Sequence, residues 1–300
     1  MLEALRHQAS EAAFDAEFLV LFDDEQINAD DLRDLIHQHL VAGALSQARC
    51  ELVPAGQTRY YDLKNKGAQM AKGEIIVFVD SDVLLEANWL NELTAPLRSD
   101  PQVHVVAGET YMSTNSLMEK AFALHWFFPL RTTPAKAKHP AQFFFANNVA
   151  FRRVSFLAQP FPTIPDGMTR GACNRLAAQL LQSGEVIWAT PAAKTSHPAP
   201  NGLHHFFERA LAQGRDWALN EKDLHGQAAS TLVFTAIRKL FLSKLNRILK
   251  GTLREGRRVS LSWWQSPAVI AIMWTYTLFV MIGAITAAVL PSQARRIWQL

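Results

Sequence analysis

The apolar positions of the N-terminal half form short runs that alternate with amphipathic segments. The unbroken run Ile75–Val79 predicts a buried strand, because a strand covered on both faces shows no polar alternation. Three further strands are predicted at residues 18–22, 51–53 and 103–107, and helices at residues 2–13, 29–42, 64–72 and 89–97, the second of these capped by Asn28. This alternation with short links predicts an α/β fold with a mostly parallel sheet flanked by helices.

The pattern changes in the C-terminal third. Residues 232–258 place apolar side chains at helical spacing and carry eight Lys and Arg against one acid, Glu255. Such a helix is typical of segments that lie on an anionic membrane surface with their apolar side buried. Nucleic-acid binding is the rival interpretation of any basic segment. The apolar segment that follows favours lipid, so no nucleic-acid partner is expected.

That apolar segment, residues 268–290, contains no charged residue and is bounded by Pro267 and Pro291. As a helix it would extend about 34 Å, enough for a hydrocarbon core of about 30 Å. Trp263 and Trp264 precede it, where interfacial aromatic residues are common. We therefore predict one transmembrane helix within residues 263–291.

The distribution of charge predicts how this segment is oriented. The positive-inside rule places residues 1–262 in the cytoplasm, because the basic segment lies before the span. After the span only Arg295 and Arg296 are charged. The sequence leaves open a second span in a longer parent chain.

Composition adds few constraints. The chain has 300 residues, of which 49% are hydrophobic, and a net charge of +3, which suits one large core with an additional element. Its first residues lack the apolar segment of a signal peptide. The two cysteines, Cys50 and Cys173, form neither a disulfide framework nor a metal motif, which fits a reducing, cytoplasmic setting.

Candidate chemistry follows the run Ile75–Val79 directly. Asp80 and Asp82 come after it, and ligands of open α/β sheets lie at the carboxyl ends of strands. Two carboxylates this close repel unless a cation lies between them. Mn²⁺ or Mg²⁺ sharing phosphate oxygens with a substrate is the expected cation. The alternative is an Asp-rich turn that caps the next helix.

Residues 61–74 and the Asp80-Ser81-Asp82 motif together resemble the family 2 glycosyltransferases. The shared features are an Asn-x-Gly helix at Asn65 and Gly67, an Ala-x-Gly-Glu turn, an apolar strand and a D-x-D motif. Residues 145–153 resemble the acceptor-side segment of the family, and residues 184–197 resemble its later strand and histidine. The similarity covers about residues 1–225.

The resemblance implies a GT-A fold that uses Mn²⁺ or Mg²⁺ to bind a nucleotide-diphospho-sugar donor and passes the sugar to a glycan or lipid-linked acceptor. It implies nucleotide-sugar contacts for Asp23, Asp24, Lys64, Asn65, Gly67 and Asp80, metal ligands at Asp80, Asp82 and His197, and acceptor contacts for Asn147, Asn148, Arg152 and Arg153. Some of these have plainer alternatives: a solvated turn for Asp23 and Asp24, close packing for Gly67, a surface lysine for Lys64, and a structural role for His197.

Two departures from the family pattern stand out. Family members begin with a strand and a base-binding turn, for which this chain has no room before Leu2, so an N-terminally shortened chain is expected. Inverting members also carry an acidic catalytic base at the start of the helix after the acceptor segment, and residues 170–176 contain none. The nearest upstream carboxylate, Asp166, is the candidate base, and the alternative is that its Pro-Asp-Gly sequence is an ordinary turn.

These observations predict four regions: a GT-A-like domain at residues 1–225, a basic amphipathic segment at 226–262, a transmembrane helix at 263–291 and a tail at 292–300. The predicted function is a membrane-anchored glycosyltransferase at the cytoplasmic face, of the kind used in polysaccharide or cell envelope biosynthesis. The alternatives are a catalytically silent, membrane-tethered module that binds nucleotide-sugar or glycan, and a GT-A-like nucleotidyltransferase.

Overall fold

The computed structural model describes residues 1–11, 14–41, 49–132 and 137–294. The predicted helix ends at Ala13 and Ala42 and the tail residues Arg295 and Arg296 lie outside the described residues. The chain packs as two compact units. Unit 1 comprises Met1–Thr110, Arg131–Thr163 and Ala172–His197, and unit 2 comprises Tyr111–Leu130, Ile164–Gly171 and Pro198–Leu300. The linear domain boundaries of the sequence analysis stay a prediction.

The described helices are, in chain order, α1 (Leu2–Glu11), α2 (Ala29–Ile36), α3 (Tyr60–Met70), α4 (Trp89–Ser99), α5 (Leu117–His125), α6 (Arg153–Ala158), α7 (Ala172–Gln182), α8 (Gly202–His225), α9 (Ala229–Thr235), α10 (Ser243–Glu255), α11 (Ser266–Val289) and α12 (Pro291–Ala294). The strands are β1 (Glu17–Phe22), β2 (Arg49–Pro54), β3 (Ile75–Val79), β4 (Leu84–Leu85), β5 (Val105–Met112), β6 (His139–Ala141), β7 (Asn148–Arg152) and β8 (Ile187–His197). The elements expected in the first 110 residues are therefore present.

The strands form two sheets in unit 1. β1 and β2 pair in parallel, with Glu17 opposite Arg49 and Phe22 opposite Pro54. The larger sheet has the order β3-β7-β5-β8-β4, with β6 on β8. β7 pairs antiparallel with both β3 and β5, and β4 and β6 pair antiparallel with β8.

The α/β class with helix-flanked strands is confirmed, whereas the expectation of a mostly parallel sheet is wrong for these pairings. The physical reason is β7. Residues 145–153 are expected only to form an acceptor-side segment, but they contain β7, which lies between β3 and β5 and is buried at four of its five residues. A continuous apolar run indicates burial on both faces and not strand direction.

The main core of unit 1 lies between α4 and the larger sheet. Trp89 and Leu93 of α4 are fully buried there with Val106 of β5 and Ala150 of β7. Helix α1 joins this core through Gln8, whose side chain donates to the Glu86 carbonyl at 3.0 Å and accepts from the Leu90 N–H at 3.1 Å. The α1 segment is thus fixed by buried hydrogen bonds as well as by apolar packing.

Helix α2 begins as predicted. The Asn28 side chain accepts from the N–H groups of Asp30 and Asp31 at 2.8 and 3.3 Å, which satisfies two of the free donors at the helix start. After Ile36 the helix continues as a π-helical turn, His37–Val41. The N-terminal end of α2 is thus fixed by the predicted cap residue.

Unit 2 contains the apolar and basic segments. The basic segment folds as α9, a π-helical turn at Ala236–Leu242, and α10, so the predicted amphipathic helix is present with one irregular turn. Among the described residues, one helix, Trp263–Val289, is long and apolar enough to cross a membrane by length and composition. The single transmembrane crossing itself stays a prediction.

Candidate functional site

The two carboxylates of the D-x-D motif follow β3 within unit 1. β3 pairs with β7 so that its last residue, Val79, lies opposite Asn148. Asp80 and Asp82 therefore leave the sheet at the carboxyl end of β3, as the sequence analysis predicts. Their surroundings differ, and each carboxylate has its own partners.

The Asp80 carboxylate is bound by two side chains of α3. The Lys64 ammonium lies 2.7 Å from Asp80 Oδ1, and the Tyr60 hydroxyl lies 2.8 Å from both carboxylate oxygens. The Lys64 side chain is almost fully buried, and its ammonium also lies 4.7 Å from the centre of the Tyr60 ring. Lys64 is thus not a surface lysine, because its ammonium pairs with Asp80. The nucleotide-sugar contacts of Lys64 and Asp80 stay a prediction.

Sequence reasoning missed Tyr60. The signal was available, because Tyr60 and Lys64 are four residues apart and therefore share one face of α3. Desolvation and the Asp80 charge hold the pKa of the Tyr60 phenol well above its usual value. The phenol is therefore protonated at neutral pH and donates its hydrogen bond to Asp80.

Asp82 lies instead beside His197. The Oδ2 atom of Asp82 is 3.5 Å from Nε2 of His197; the Asp82 side chain is 49% exposed and that of His197 is 8% exposed. The sheet explains the approach. Leu84 of β4 pairs with Ser196 of β8, so the residues just before β4 lie next to the end of β8, where His197 is the last residue.

The Asp82–His197 pair fits a divalent cation as a partial donor set. Carboxylate oxygen and imidazole nitrogen are both ordinary ligands of such ions, and two ligands on one ion lie about 3.0–3.4 Å apart. Within the described part of the chain, no group of three His, Cys, Asp or Glu residues could hold a metal ion. Water and substrate phosphate oxygens would therefore supply the remaining ligands, as is usual for Mg²⁺.

Asp23 and Asp24 follow β1, where the parallel pair β1-β2 ends. Asp23 caps its own turn by accepting from the Glu25 N–H at 3.0 Å. Asp24 accepts from the Gly56 N–H at 2.7 Å, and this hydrogen bond lowers the pKa of the Asp24 carboxyl below its usual value. The two loops that follow β1 and β2 are thereby joined, and their nucleotide contacts stay a prediction.

Gly67 and Asn65 both have structural tasks on α3. A Cβ atom at Gly67 would lie 3.0 Å from Leu21 Cδ1, so the glycine permits close packing of α3 on β1. The Asn65 side chain donates to the Phe161 carbonyl at 2.9 Å and accepts from the Phe161 N–H at 3.1 Å. The close packing favours the structural alternative for Gly67, and the nucleotide contacts of Gly67 and Asn65 stay a prediction.

The structure separates the four predicted acceptor-side residues. Asn148 is fully buried; its amide accepts from Trp89 Nε1 at 2.8 Å and donates to the Ala193 carbonyl at 3.1 Å. Asn147 is also buried and accepts from the Thr110 hydroxyl at 3.1 Å. These two lie at the β7 end that faces the D-x-D motif but within the interior of unit 1.

Arg152 and Arg153 lie at the other end of β7. Arg152 is opposite Ile75, the first residue of β3, and donates to the Leu97 carbonyl at 2.7 Å. The Arg153 N–H donates to the Glu74 carbonyl at 2.8 Å. A whole strand separates them from Asp80, so this placement gives no support to an acceptor role.

Asp166 belongs to unit 2, in a tight turn. The Met168 N–H donates to the Pro165 carbonyl at 3.0 Å, and Gly167 has φ of +84°, as a type II turn requires at that position. The turn interpretation is therefore correct for this segment. The carboxylate of Asp166 is exposed, and its role as a base stays a prediction.

The start of α7 is joined to α3 by a thiol. The Tyr61 hydroxyl donates to Cys173 Sγ at 3.2 Å, and burial raises the pKa of the Cys173 thiol. The first turn of α7 contains no acidic residue. The family resemblance implies an acidic base at the start of this helix. In this chain the thiol of Cys173 lies there instead.

The sequence matches one family model. The model described as glycosyl transferase family 2 matches residues 2–158, which is more than half of the chain. Among functionally curated proteins, none is significantly similar in sequence.

Two solved structures are similar in fold. The mannosyltransferase PcManGT from Pyrobaculum calidifontis, in complex with GDP-Man and Mn²⁺, is 12% identical, with coverage of 94% of this chain and 89% of that one and a TM-score of 0.50. GalNAc-T7 with UDP, GalNAc and Mn²⁺ is 12% identical, with coverage of 87% of this chain and a TM-score of 0.46; the chain spans only 57% of its length. The family match and the likeness to the mannosyltransferase confirm the expected GT-A-type α/β fold.

Proposed function

This chain belongs to glycosyl transferase family 2, and we propose that it transfers a sugar from a nucleotide-diphosphate donor to a glycan or lipid-linked acceptor with the help of a divalent cation. The observation that carries the proposal is the Asp82–His197 pair, in which an exposed carboxylate lies 3.5 Å from a buried imidazole at the carboxyl ends of strands. Mn²⁺ or Mg²⁺ at this pair would act as a Lewis acid on the leaving diphosphate.

Asp80 has a different task in this proposal. Its charge is neutralised by Lys64 and its oxygens accept from Tyr60, so it is held rigidly beside the donor site. A fixed carboxylate at this position orients the Asp80–Asp82 turn and presents Asp82 to the cation. We therefore assign Asp82 and His197 as the metal ligands, and Asp80 as the residue that positions the turn.

The nucleotide would lie against the loops after β1 and β2. Asp24 is ionised and exposed, and its hydrogen bond to Gly56 holds both loops in register, as a contact with a ribose or base requires. The mannosyltransferase of similar fold is bound to GDP-Man and Mn²⁺, and we propose a donor of that chemical class for this chain. The same loops carry Asp23, which we include on the nucleotide side.

The proposal places the reaction at the cytoplasmic face of a membrane. Unit 2 contains the described helix with the length and composition of a membrane span, preceded by the eight cations of residues 232–258. Basic residues beside an apolar segment are retained on the cytoplasmic side. A lipid-linked acceptor would be held by the same surface.

The test is donor hydrolysis and sugar transfer with and without Mn²⁺, for the wild type and for Asp82→Ala. We expect activity that depends on the ion and falls at least a hundredfold in the variant, because a ligand of the cation is lost. Asp62→Asn is the matched control, since Asp62 is an exposed carboxylate paired with Arg59 on α3. Turnover that needs no metal and is unchanged by Asp82→Ala would overturn the metal assignment.

A catalytically silent binding module is the second candidate, and one observation favours it: α7 begins without a carboxylate. Titration calorimetry separates the two candidates. Donor binding without turnover favours the silent module, whereas turnover that is lost in Asp166→Asn identifies Asp166 as the base and supports the transferase.

A further inference from the structure

One side of α11 is covered by α8 within unit 2. A Cβ atom added at Gly214 would overlap the Val280 carbonyl, and one added at Gly283 would overlap the Leu211 carbonyl. The two backbones are therefore in direct contact. The rings of Phe207 and Phe279 also lie 4.4 Å apart. No lipid chain could enter between helices packed this closely.

The helix that closes this side is charged. In the middle of α8, Arg215 is fully buried and lies 2.8 Å from the buried carboxylate of Asp216. Gln213, two residues before Arg215, accepts from the Tyr276 hydroxyl of α11 at 2.8 Å. Ionised side chains are costly at the centre of a bilayer. A helix of this composition therefore lies outside the hydrocarbon core, and it keeps α11, which is packed along it, from being surrounded by lipid.

The opposite side of α11 is apolar and partly exposed. Trp274, Leu278 and Ile282 are exposed and recur every four residues, so they form one stripe. α10 lies next to this stripe, since Trp274 Nε1 donates to the Leu245 carbonyl at 3.2 Å. Helix α11 thus has one half covered by protein and one half available to another apolar phase.

α10 continues the same arrangement. Leu249 and Leu253 are exposed four residues apart, whereas Ile248 and Thr252 are buried. At about 100° per residue, Lys250 and Arg254 lie within roughly 100° of the exposed leucines on the helix surface. A leucine stripe bordered by cations matches the chemistry of anionic headgroups above acyl chains.

Two tryptophans mark the entrance to α11. Trp263 is 86% exposed and Trp264 is 64% exposed, and both precede the helix in a short 3₁₀ turn. Exposed tryptophans prefer the boundary between headgroups and acyl chains. With the Trp274 stripe they extend one apolar surface along α11.

From these observations we infer that α11 lies on an anionic bilayer, with its Trp274, Leu278 and Ile282 stripe in the headgroup–acyl boundary, and does not cross it. Both ends of α11 are then on the cytoplasmic side. The inference concerns unit 2 alone and does not depend on the sugar-transfer chemistry.

The first experiment is the topology of the full chain. Tags before Met1 and after Leu300 are exposed to protease in sealed inverted membrane vesicles, with detergent-permeabilised vesicles as the reference. We expect both tags to be removed from the outside. A tag after Leu300 that resists protease until detergent is added would overturn the inference.

The second experiment is binding of the purified chain to vesicles of mixed anionic and neutral lipid and of neutral lipid alone. We expect stronger binding to the anionic vesicles, release by high salt, and a loss of about tenfold or more in Leu278→Lys. Leu203→Lys is the matched control, because Leu203 is an exposed leucine of unit 2 in the first turn of α8. Circular dichroism checks the fold of both variants. Two results would contradict the inference. One is equal binding by Leu278→Lys and the wild type, and the other is binding that does not depend on lipid charge or salt.

Discussion

The Lys64 ammonium lies 2.7 Å from Asp80 Oδ1, so the first carboxylate of the D-x-D motif has its counter-charge inside the protein. The second carboxylate, Asp82, lies beside His197 and is half exposed. Two acids separated by one residue therefore have different environments. In the proposal above, this difference assigns the cation to Asp82.

Lys64→Met is expected to destabilise unit 1 by about 2–3 kcal/mol, because it leaves the Asp80 carboxylate partly buried without its cation. Chemical denaturation at neutral pH measures this loss.

Lys66→Met is the control for that variant. Lys66 lies on the same helix, is only partly buried, and donates to the Pro54 carbonyl at 2.9 Å. Lys66→Met should lower the free energy of unfolding by less than about 0.5–1 kcal/mol. Equal destabilisation by both variants would mean that the Lys64–Asp80 pair contributes nothing specific.

His197→Gln should raise the Mn²⁺ concentration needed for half-maximal donor hydrolysis by about tenfold or more, because one of two protein ligands is replaced by a weaker one. The apparent KM for the donor at saturating Mn²⁺ should change much less. His204→Gln provides the comparison, since His204 is exposed on α8 and paired with Glu208 at 3.1 Å. An unchanged Mn²⁺ requirement in His197→Gln would exclude this histidine as a ligand.

Gly108→Ala should destabilise unit 1 by about 3 kcal/mol, because the new Cβ would overlap the amide of Asn148 and the Ala193 carbonyl in the packed sheet. Gly73→Ala places its Cβ 3.5 Å from the Ile75 carbonyl, an ordinary contact, and should change stability by less than about 1 kcal/mol. Thermal unfolding of the two variants measures the difference. Comparable melting temperatures would show that β5 can move away from Asn148.

The stability of unit 2 should depend on pH through His125. Burial lowers its pKa from 6.5 to about 4, while Nε2 lies 2.7 Å from the Thr252 hydroxyl. The folded chain favours the neutral imidazole. The stability that His125 contributes to unit 2 is therefore fully present above pH 6.5 and is lost as the pH falls towards 4. The slope is at most about 1.4 kcal/mol per pH unit.

Unfolding of wild type and His125→Gln at pH 7 and pH 5 isolates this contribution. The glutamine can still bond to Thr252 and does not titrate, so the variant should lose less stability than the wild type on acidification. Identical losses at pH 5 would show that His125 does not titrate in this range.

Local patterns predicted the local features well. The run Ile75–Val79 is the strand β3, Asn28 caps α2, and Asp80 and Asp82 leave β3 together. Each depends on residues within one turn or one strand, where spacing and side-chain chemistry act directly. For this reason the position of the D-x-D motif could be read from the sequence.

Long-range pairing explains what the sequence did not show. β7 runs antiparallel to both β3 and β5. This pairing depends on residues far apart in the sequence, so the residues of β7 do not reveal it by themselves. The same strand places Asn148 inside the core and Arg152 a strand length from the motif. Asn and Arg are common in binding sites and in buried hydrogen-bond networks, so residue type alone could not separate these roles.

The burial of Cys50 and Cys173 also determines how the chain responds to thiol reagents. Burial raises the pKa of both Cys173 and Cys50, so little thiolate forms at neutral pH. Alkylation and oxidation should therefore be slow at both native cysteines while the chain is folded. A single cysteine introduced on the exposed surface would then react first, which makes the native sequence a suitable background for site-directed labelling.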